Sequence, residues 1–129
     1  MKIHHIAIWV RDLEKVKDFY VKYFNAICSD KYTNEKKQFT SYFLTFSSGD
    51  TKIELMHNSG MSESIEMNAS SLGLTHLALS VGCKSEVDRL TEQFRSDGFR
   101  IVGEPRTTGD GFYESVVEDA EGNRIEITE

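Results

Sequence analysis

The 129-residue chain holds one proline and two cysteines, and its basic residues form no cluster. Cys28 and Cys83 fit neither a disulfide framework nor a CxxC metal motif, so both are expected as reduced thiols of a cytoplasmic protein. No apolar run approaches the roughly 20 residues that span a bilayer. The first residues also lack a charged-then-apolar export pattern. Both absences argue against a membrane role. Lys and Arg number 15 against 21 Asp and Glu, for a formal net charge of -6 and a pI near 5.2. Without a basic footprint for phosphate, a nucleic-acid partner is not expected. There is no glycine-rich phosphate loop and no Ser, His and Asp grouping for a triad. Small-molecule chemistry is left, in a chain of one domain's length with 39% hydrophobic residues to build a core.

What the chain does have is an internal repeat. His5-Ile-Ala-Ile-Trp-Val10 returns 71 residues later as His76-Leu-Ala-Leu-Ser-Val81, and Lys52-Ile-Glu-Leu55 returns after 72 as Arg124-Ile-Glu-Ile127. His5 precedes Glu54 by 49 residues, and His76 precedes Glu126 by 50. Such self-similarity fixes an architecture before any residue is read in detail. Two repeats of about sixty residues would each be thin alone, so they are expected to form one folded unit or to pair with a second chain.

Alternation and branched residues predict a strand over Ile3 to Val10. Asp12 offers an N-cap, and Leu13, Val16, Phe19, Tyr20, Tyr23 and Phe24 follow at helical spacing. Further strands are expected at 26–33, 38–47 and 51–57, with a polar connection at 58–73. The second repeat, 74–129, replays the order. A strand over Leu74 to Val81 precedes a helix opened by a capping box, Ser85 and Asp88, and closed by Gly98. Strands follow near 100–104, 112–118 and 123–128, with Pro105 between strands, where its missing N–H costs least. Each half therefore reads as βαβββ.

Strand parity decides where the repeated residues point. Ile6, Ile8 and Val10 share one face, while His5, Ala7 and Trp9 share the other; Leu77, Leu79 and Val81 stand opposite His76, Ala78 and Ser80. Ile53 and Leu55 face away from Glu54, and Ile125 and Ile127 face away from Glu126. A single strand histidine is ordinarily a hydrogen-bonded structural residue, and a strand glutamate ordinarily faces water. Four of them at equivalent places, each beside an aliphatic row that turns it inward, would be costly to bury unless a cation compensated them. Two imidazoles and two carboxylates suit Ni, Co, Zn or Mn, with one or two waters completing the shell. A closed structural zinc site would favour cysteine, so open positions point to catalysis. By the same parity His4 is expected on the aliphatic side, partly buried, and His57 at the surface or an edge. Trp9 and Met56 share the His/Glu face and are candidates to line a substrate pocket.

These residues resemble the vicinal oxygen chelate superfamily, which includes glyoxalase I, fosfomycin-resistance enzymes, bleomycin-binding proteins and extradiol dioxygenases. The resemblance covers essentially the whole chain. It is carried by His5-Ile-Ala-Ile-Trp-Val, Asp12-Leu, Phe19-Tyr20 and Lys52-Ile-Glu-Leu, then by Thr75-His76-Leu-Ala-Leu-Ser-Val and Asp119-Ala-Glu-Gly-Asn-Arg-Ile-Glu126. It implies an α+β fold, a single domain over 1–129 in which two βαβββ modules form a curved, eight-stranded mixed sheet around a metal cleft, commonly completed by homodimerisation. Within the superfamily the His, Glu, His, Glu set is similar to glyoxalase I. Fosfomycin-resistance enzymes and extradiol dioxygenases use two histidines and one glutamate, methylmalonyl-CoA epimerase typically has glutamine at the position of Glu54, and bleomycin-binding relatives lack the metal residues.

The resemblance thus implies a metal-dependent, lactoylglutathione lyase-like enzyme. It would convert the hemithioacetal of a 2-oxoaldehyde and a thiol to a 2-hydroxyacyl thioester. His5, Glu54, His76 and Glu126 would hold one divalent metal ion, with Glu126, or Glu54 by pseudosymmetry, as the base. Asn58 resembles an asparagine that contacts glutathione in small bacterial glyoxalases, and Trp9 stands where those enzymes usually carry an arginine for its carboxylate. Phe112-Tyr-Glu-Ser replaces a lysine- and glycine-containing stretch, and Ala120 replaces a usual proline. These departures leave the metal chemistry intact and the identity of the thiol open. The alternatives are another enzyme of the superfamily, a thiol transferase or epimerase, or a non-catalytic drug-binding resistance protein.

Overall fold

The chain alternates apolar and polar residues in two separate stretches, and each folds into its own unit on a common strand plan, with one extra short strand in the first. A computed structural model describes residues 1–61 and 73–129. The two units are Met1–Ile65 and Glu66–Glu129. The expected connection at 58–73 lies outside the described residues except for 58–61 and 73.

Unit 1 runs β1 (His5–Trp9), α1 (Leu13–Phe24), β2 (Ile27–Cys28), β3 (Tyr32–Asn34), β4 (Phe39–Phe46) and β5 (Gly49–Asn58). Asp12 caps α1 as expected, its carboxylate accepting the Lys15 N–H at 2.9 Å. Leu13, Val16, Phe19, Tyr20 and Tyr23 form the buried stripe of the helix. The sheet order is β1-β5-β4-β2, with β1 parallel to β5 and β3 pairing with β4. The single strand expected over 26–33 is instead two short ones. Between them the Ser29 hydroxyl donates to the Asp30 carbonyl and accepts the Phe43 N–H, a local bonding pattern that competes with a continuous ladder. Asn34 then caps a single 3-10 turn at Glu35–Lys37.

Unit 2 runs β6 (Leu77–Ser80), α2 (Lys84–Ser96), β7 (Ile101–Thr107), β8 (Tyr113–Glu118) and β9 (Arg124–Thr128), with sheet order β6-β9-β8-β7 and β6 parallel to β9. The expected capping box does not form. Cys83 is the N-cap, without a side-chain cap bond. Ser85 lies inside the first turn with its hydroxyl 3.2 Å from the Cys83 sulfur, while Asp88 accepts the Tyr113 hydroxyl at 2.7 Å. The other end follows expectation. Gly98 takes φ +84°, its N–H reaches the Arg95 carbonyl, and Phe99 N–H reaches the Phe94 carbonyl, with the Phe94 and Phe99 rings 5.7 Å apart. That is a Schellman stop with its hydrophobic contact. Pro105 lies within β7 and not between strands. It is tolerated because β7 is an edge strand whose register shifts between Gly103 and Arg106.

In both units the aliphatic parity rows point under the helix. Ile53, Leu55, Ile125 and Ile127 are buried, as are Val16 and Tyr20 of α1 and Val87 and Phe94 of α2. Each such side chain contributes about 1.5–3 kcal/mol of burial. The opposite faces stay open: His5, Ala7 and Trp9 are exposed, and so are His76, Ala78 and Ser80. No helix among the described residues is long and apolar enough to cross a membrane.

Candidate metal centre

Parallel pairing of the first and last strands of each unit puts the repeated histidine and glutamate side by side. Ala7 pairs with Glu54 and Ala78 with Glu126, so each histidine sits two residues before the alanine, on the same face. The outcome is nearly the same twice. His5 Nε2 lies 3.7 Å from a Glu54 carboxylate oxygen, and His76 Nε2 lies 3.4 Å from a Glu126 oxygen. Side-chain exposure matches too, 39% and 16% in the first pair and 41% and 17% in the second. Each histidine is thus reachable, and each glutamate is shielded by its sheet.

These pairs fit the chemistry of a shared cation. Two donor atoms 3.4–3.7 Å apart can each stand about 2.1 Å from one ion, at an angle of roughly 110–125° between them. Among the described residues no three His, Cys, Asp or Glu side chains cluster as a ligand group, so each unit offers two ligands. His5 Nδ1 also lies 2.9 Å from His4 Nδ1. With the His5 ring N–H donated there, its Nε2 lone pair is free for a metal, as in outer-shell orientation of metal-bound imidazoles. His4 is therefore exposed and stands before β1, not partly buried on the aliphatic side, because strand parity does not extend to it. His57 donates from Nδ1 to the Val10 carbonyl at 3.0 Å and has a structural bond.

The two faces differ beyond the shared pair. In unit 1 the His5 ring packs edge-on against Phe43, and Trp9 against Phe39. Trp9 remains 47% exposed. Asn58 uses both ends of its amide on backbone, donating to the Lys37 carbonyl and accepting the Gly60 N–H. In unit 2 His76 and Glu126 open on a cleft of about 450 Å3, bordered by Thr108, Asp110, Phe112, Glu114 and Thr128. Glu114 is buried at 9% exposure and paired with Arg106 at 3.5 Å. Burial, then the neighbouring Glu126 charge, push its carboxyl above the usual range. Asp110 is held below the usual carboxylate range by the Thr108 hydroxyl. No sequence motif marks His4 as an orienter, or Asp110, Glu114 and Thr128 as neighbours of the pair. Strand parity carried a signal for two of them, since Glu114 pairs with Thr128 on the Glu126 face.

The glyoxalase family model, described as the Glyoxalase/Bleomycin resistance protein/Dioxygenase superfamily, matches residues 2–127. The chain is 25% identical to the uncharacterised protein YqjT of Bacillus subtilis, over 97% of this chain and 96% of that one. Glyoxalase I from Zea mays superposes with a TM-score of 0.77 at 22% identity, covering 98% of this chain but 44% of the maize chain. The trypanothione-dependent glyoxalase I of Leishmania major gives 0.78 at 24% identity, covering 99% of this chain and 86% of that one. A glyoxalase/bleomycin resistance protein/dioxygenase domain from Frankia gives 0.82 at 18%, with 99% and 96% covered. These likenesses establish the α+β glyoxalase fold.

Proposed function

Because the chain belongs to the glyoxalase/bleomycin resistance protein/dioxygenase superfamily, we propose that it is a metal-dependent lyase of the glyoxalase I kind. Its reaction would convert a hemithioacetal of a 2-oxoaldehyde and a thiol to a 2-hydroxyacyl thioester. The carrying observation is the duplicated pair, His5 with Glu54 and His76 with Glu126, at 3.7 and 3.4 Å. His5, Glu54, His76 and Glu126 are the residues we assign to hold one divalent ion, Ni, Co, Zn or Mn. The ion would supply Lewis-acid charge for two adjacent substrate oxygens. Glu126, with Glu54 as its counterpart, takes the proton from the carbon bearing the sulfur and returns it to the neighbouring carbon.

The test has two readouts. Metal analysis after chelator stripping and reloading should give about one ion per chain, lost in His76→Ala and weakened in Glu54→Gln. Thioester absorbance from methylglyoxal with glutathione and other small thiols should follow metal content. Full metal loading with no turnover on any thiol would sink the lyase. Exposure of Trp9 and Phe112, at 47% and 54%, favours one rival, a drug-binding protein with aromatic walls; ligand binding that survives chelation would establish that reading instead.

We also propose a homodimer, supported by sheet edges at β1, β2, β6 and β7 that no strand among the described residues pairs and by exposed Ile3, Ile27 and Leu74. Light scattering should read about twice 14.7 kDa; a monomer at micromolar concentration would remove the claim. The two free cysteines support a cytoplasmic location.

A further inference from the structure

The two His–Glu pairs match in distance and exposure, but their histidines are not held alike. In unit 1 the parallel ladder begins at the histidine itself, with His5 paired to Lys52. The residues before it are tied to β5 as well. The His4 carbonyl accepts the Lys52 N–H at 3.0 Å, and the Ile3 carbonyl accepts the Thr51 hydroxyl at 3.1 Å. Lys2 pairs with Asp50 at 3.0 Å. In unit 2 the ladder begins one residue later, at Leu77 with Ile125, so His76 stands before β6.

The side chains repeat this difference. The His5 ring meets two other rings edge-on, Phe43 at 5.5 Å and His4 at 5.2 Å, and its Nδ1 lies 2.9 Å from His4 Nδ1. At the place of His4, unit 2 has an exposed threonine, Thr75. Among the described residues the polar side-chain partner of the His76 ring is Glu126 alone, at 3.4 Å, and no ring packs against it.

We propose that His5 and Glu54 are the preformed half of the assigned metal shell, with His4 as the positioning residue responsible, whereas His76 is ordered by the ion. A neutral imidazole that gives Nε2 to a metal carries its proton on Nδ1, and an acceptor there fixes the tautomer and the ring. His4 Nδ1 is that acceptor for His5. The opposite donation would put the His5 proton on Nε2, facing a Glu54 oxygen 3.7 Å away, too far for a hydrogen bond. His76 has no such acceptor among the described residues, so it exchanges tautomers in water, and ordering it offsets part of the binding free energy. The proposal rests on the metal assignment and does not depend on turnover.

The first measurement needs no metal. Long-range nitrogen–proton spectra of the chelator-treated full chain, at a pH where imidazole is neutral, should show His5 as the Nδ1–H tautomer and His76 as an averaged mixture. His4→Phe keeps a ring and removes the acceptor. It should leave His5 averaged and weaken zinc about ten- to hundred-fold in chelator competition. In His4→Asn the amide oxygen can accept in place of Nδ1. That variant should recover the tautomer and bring zinc affinity within about three-fold of the parent, the scale of a surface substitution. Thr75→Ala should change neither readout beyond that scale. An averaged His5 in the parent, zinc affinity indifferent to His4→Phe, a loss that His4→Asn does not repair, or an equal loss in Thr75→Ala overturns this proposal alone. A parent chain that binds no zinc strikes the metal assignment, and this proposal with it.

Discussion

The two units build the same strand order, the same parallel pairing and the same His–Glu pair, yet finish everything around that pair differently. Unit 1 surrounds it with Phe43, Phe39 and Trp9, whereas unit 2 sets Glu114, Asp110 and Thr128 beside it. Their helices are tied down differently as well. In unit 1, Glu14 of α1 accepts from Lys17, Lys31 and Tyr42 of β4 in an exposed network. In unit 2, Thr91 of α2 meets Ser115 of β8 at 2.7 Å, with both residues fully buried. What is common follows from backbone pairing. What differs is side-chain chemistry, which backbone pairing leaves free to diverge.

The sharpest way to break this comparison is to remove one carboxylate at a time. Were the halves equivalent, Glu54→Gln and Glu126→Gln would cost the same. Because the cleft opens beside Glu126, its loss should lower kcat by about a hundred- to ten-thousand-fold, with Glu54→Gln costing less in kcat and more in metal affinity. Steady-state kinetics beside metal analysis reads both, and equal losses in kcat would restore the symmetric reading.

The pairing itself was legible in the sequence because strand parity needs only a period of two, and the aliphatic rows Ile53/Leu55 and Ile125/Ile127 fix the register. The N-terminus of α2 was not. Ser85 and Asp88 satisfy a capping-box spacing, but helix entry is decided by where the chain leaves β6, and that places Cys83 at the cap. Pro105 misled for a related reason, since edge position is a property of the sheet and not of local composition. His4 lay one residue beyond β1, where parity carries no information. Asp110 and Phe112 came to the cleft through the β7–β8 connection, whose path no periodicity reports.

A second comparison concerns the cores. Phe94 is fully buried under unit 2 and also closes the helix stop with Phe99. Phe94→Ala should cost about 3–5 kcal/mol, read from urea unfolding. A loss below about 1 kcal/mol would mean that the site collapses around the void.

The buried helix tie of unit 2 is expected to matter less than its burial suggests. The Thr91 proton goes to the Val87 carbonyl at 2.7 Å, so Ser115 is the donor in the pair. Ser115→Ala therefore leaves Thr91 satisfied and should cost about 1 kcal/mol in thermal or urea unfolding. Thr91→Val would strand the Ser115 hydroxyl and should cost more; the reverse order would mean that the donor assignment is inverted.

The smallest effect belongs to the exposed tie of unit 1, and it is visible mainly through pH. The Lys17 and Lys31 ammoniums, then the Tyr42 hydroxyl, hold the Glu14 carboxyl down at about 2, from an ordinary 4.5. A carboxyl whose folded value is depressed contributes stability above its unfolded value and loses it as pH falls toward the folded one. The contribution should therefore be complete above about pH 4.5 and fade toward pH 2. Glu14 keeps 49% of its side chain exposed, so solvent screening holds the contribution to about 0.2–1 kcal/mol despite the size of the shift. Glu14→Gln should lower stability by that amount at pH 7, converge on the parent near pH 2, and narrow the gap in high salt. Urea unfolding across pH 2–7 measures the difference between the two chains; a gap that persists unchanged at pH 2 would mean that Tyr42 and helix packing, not charge, carry the role of Glu14.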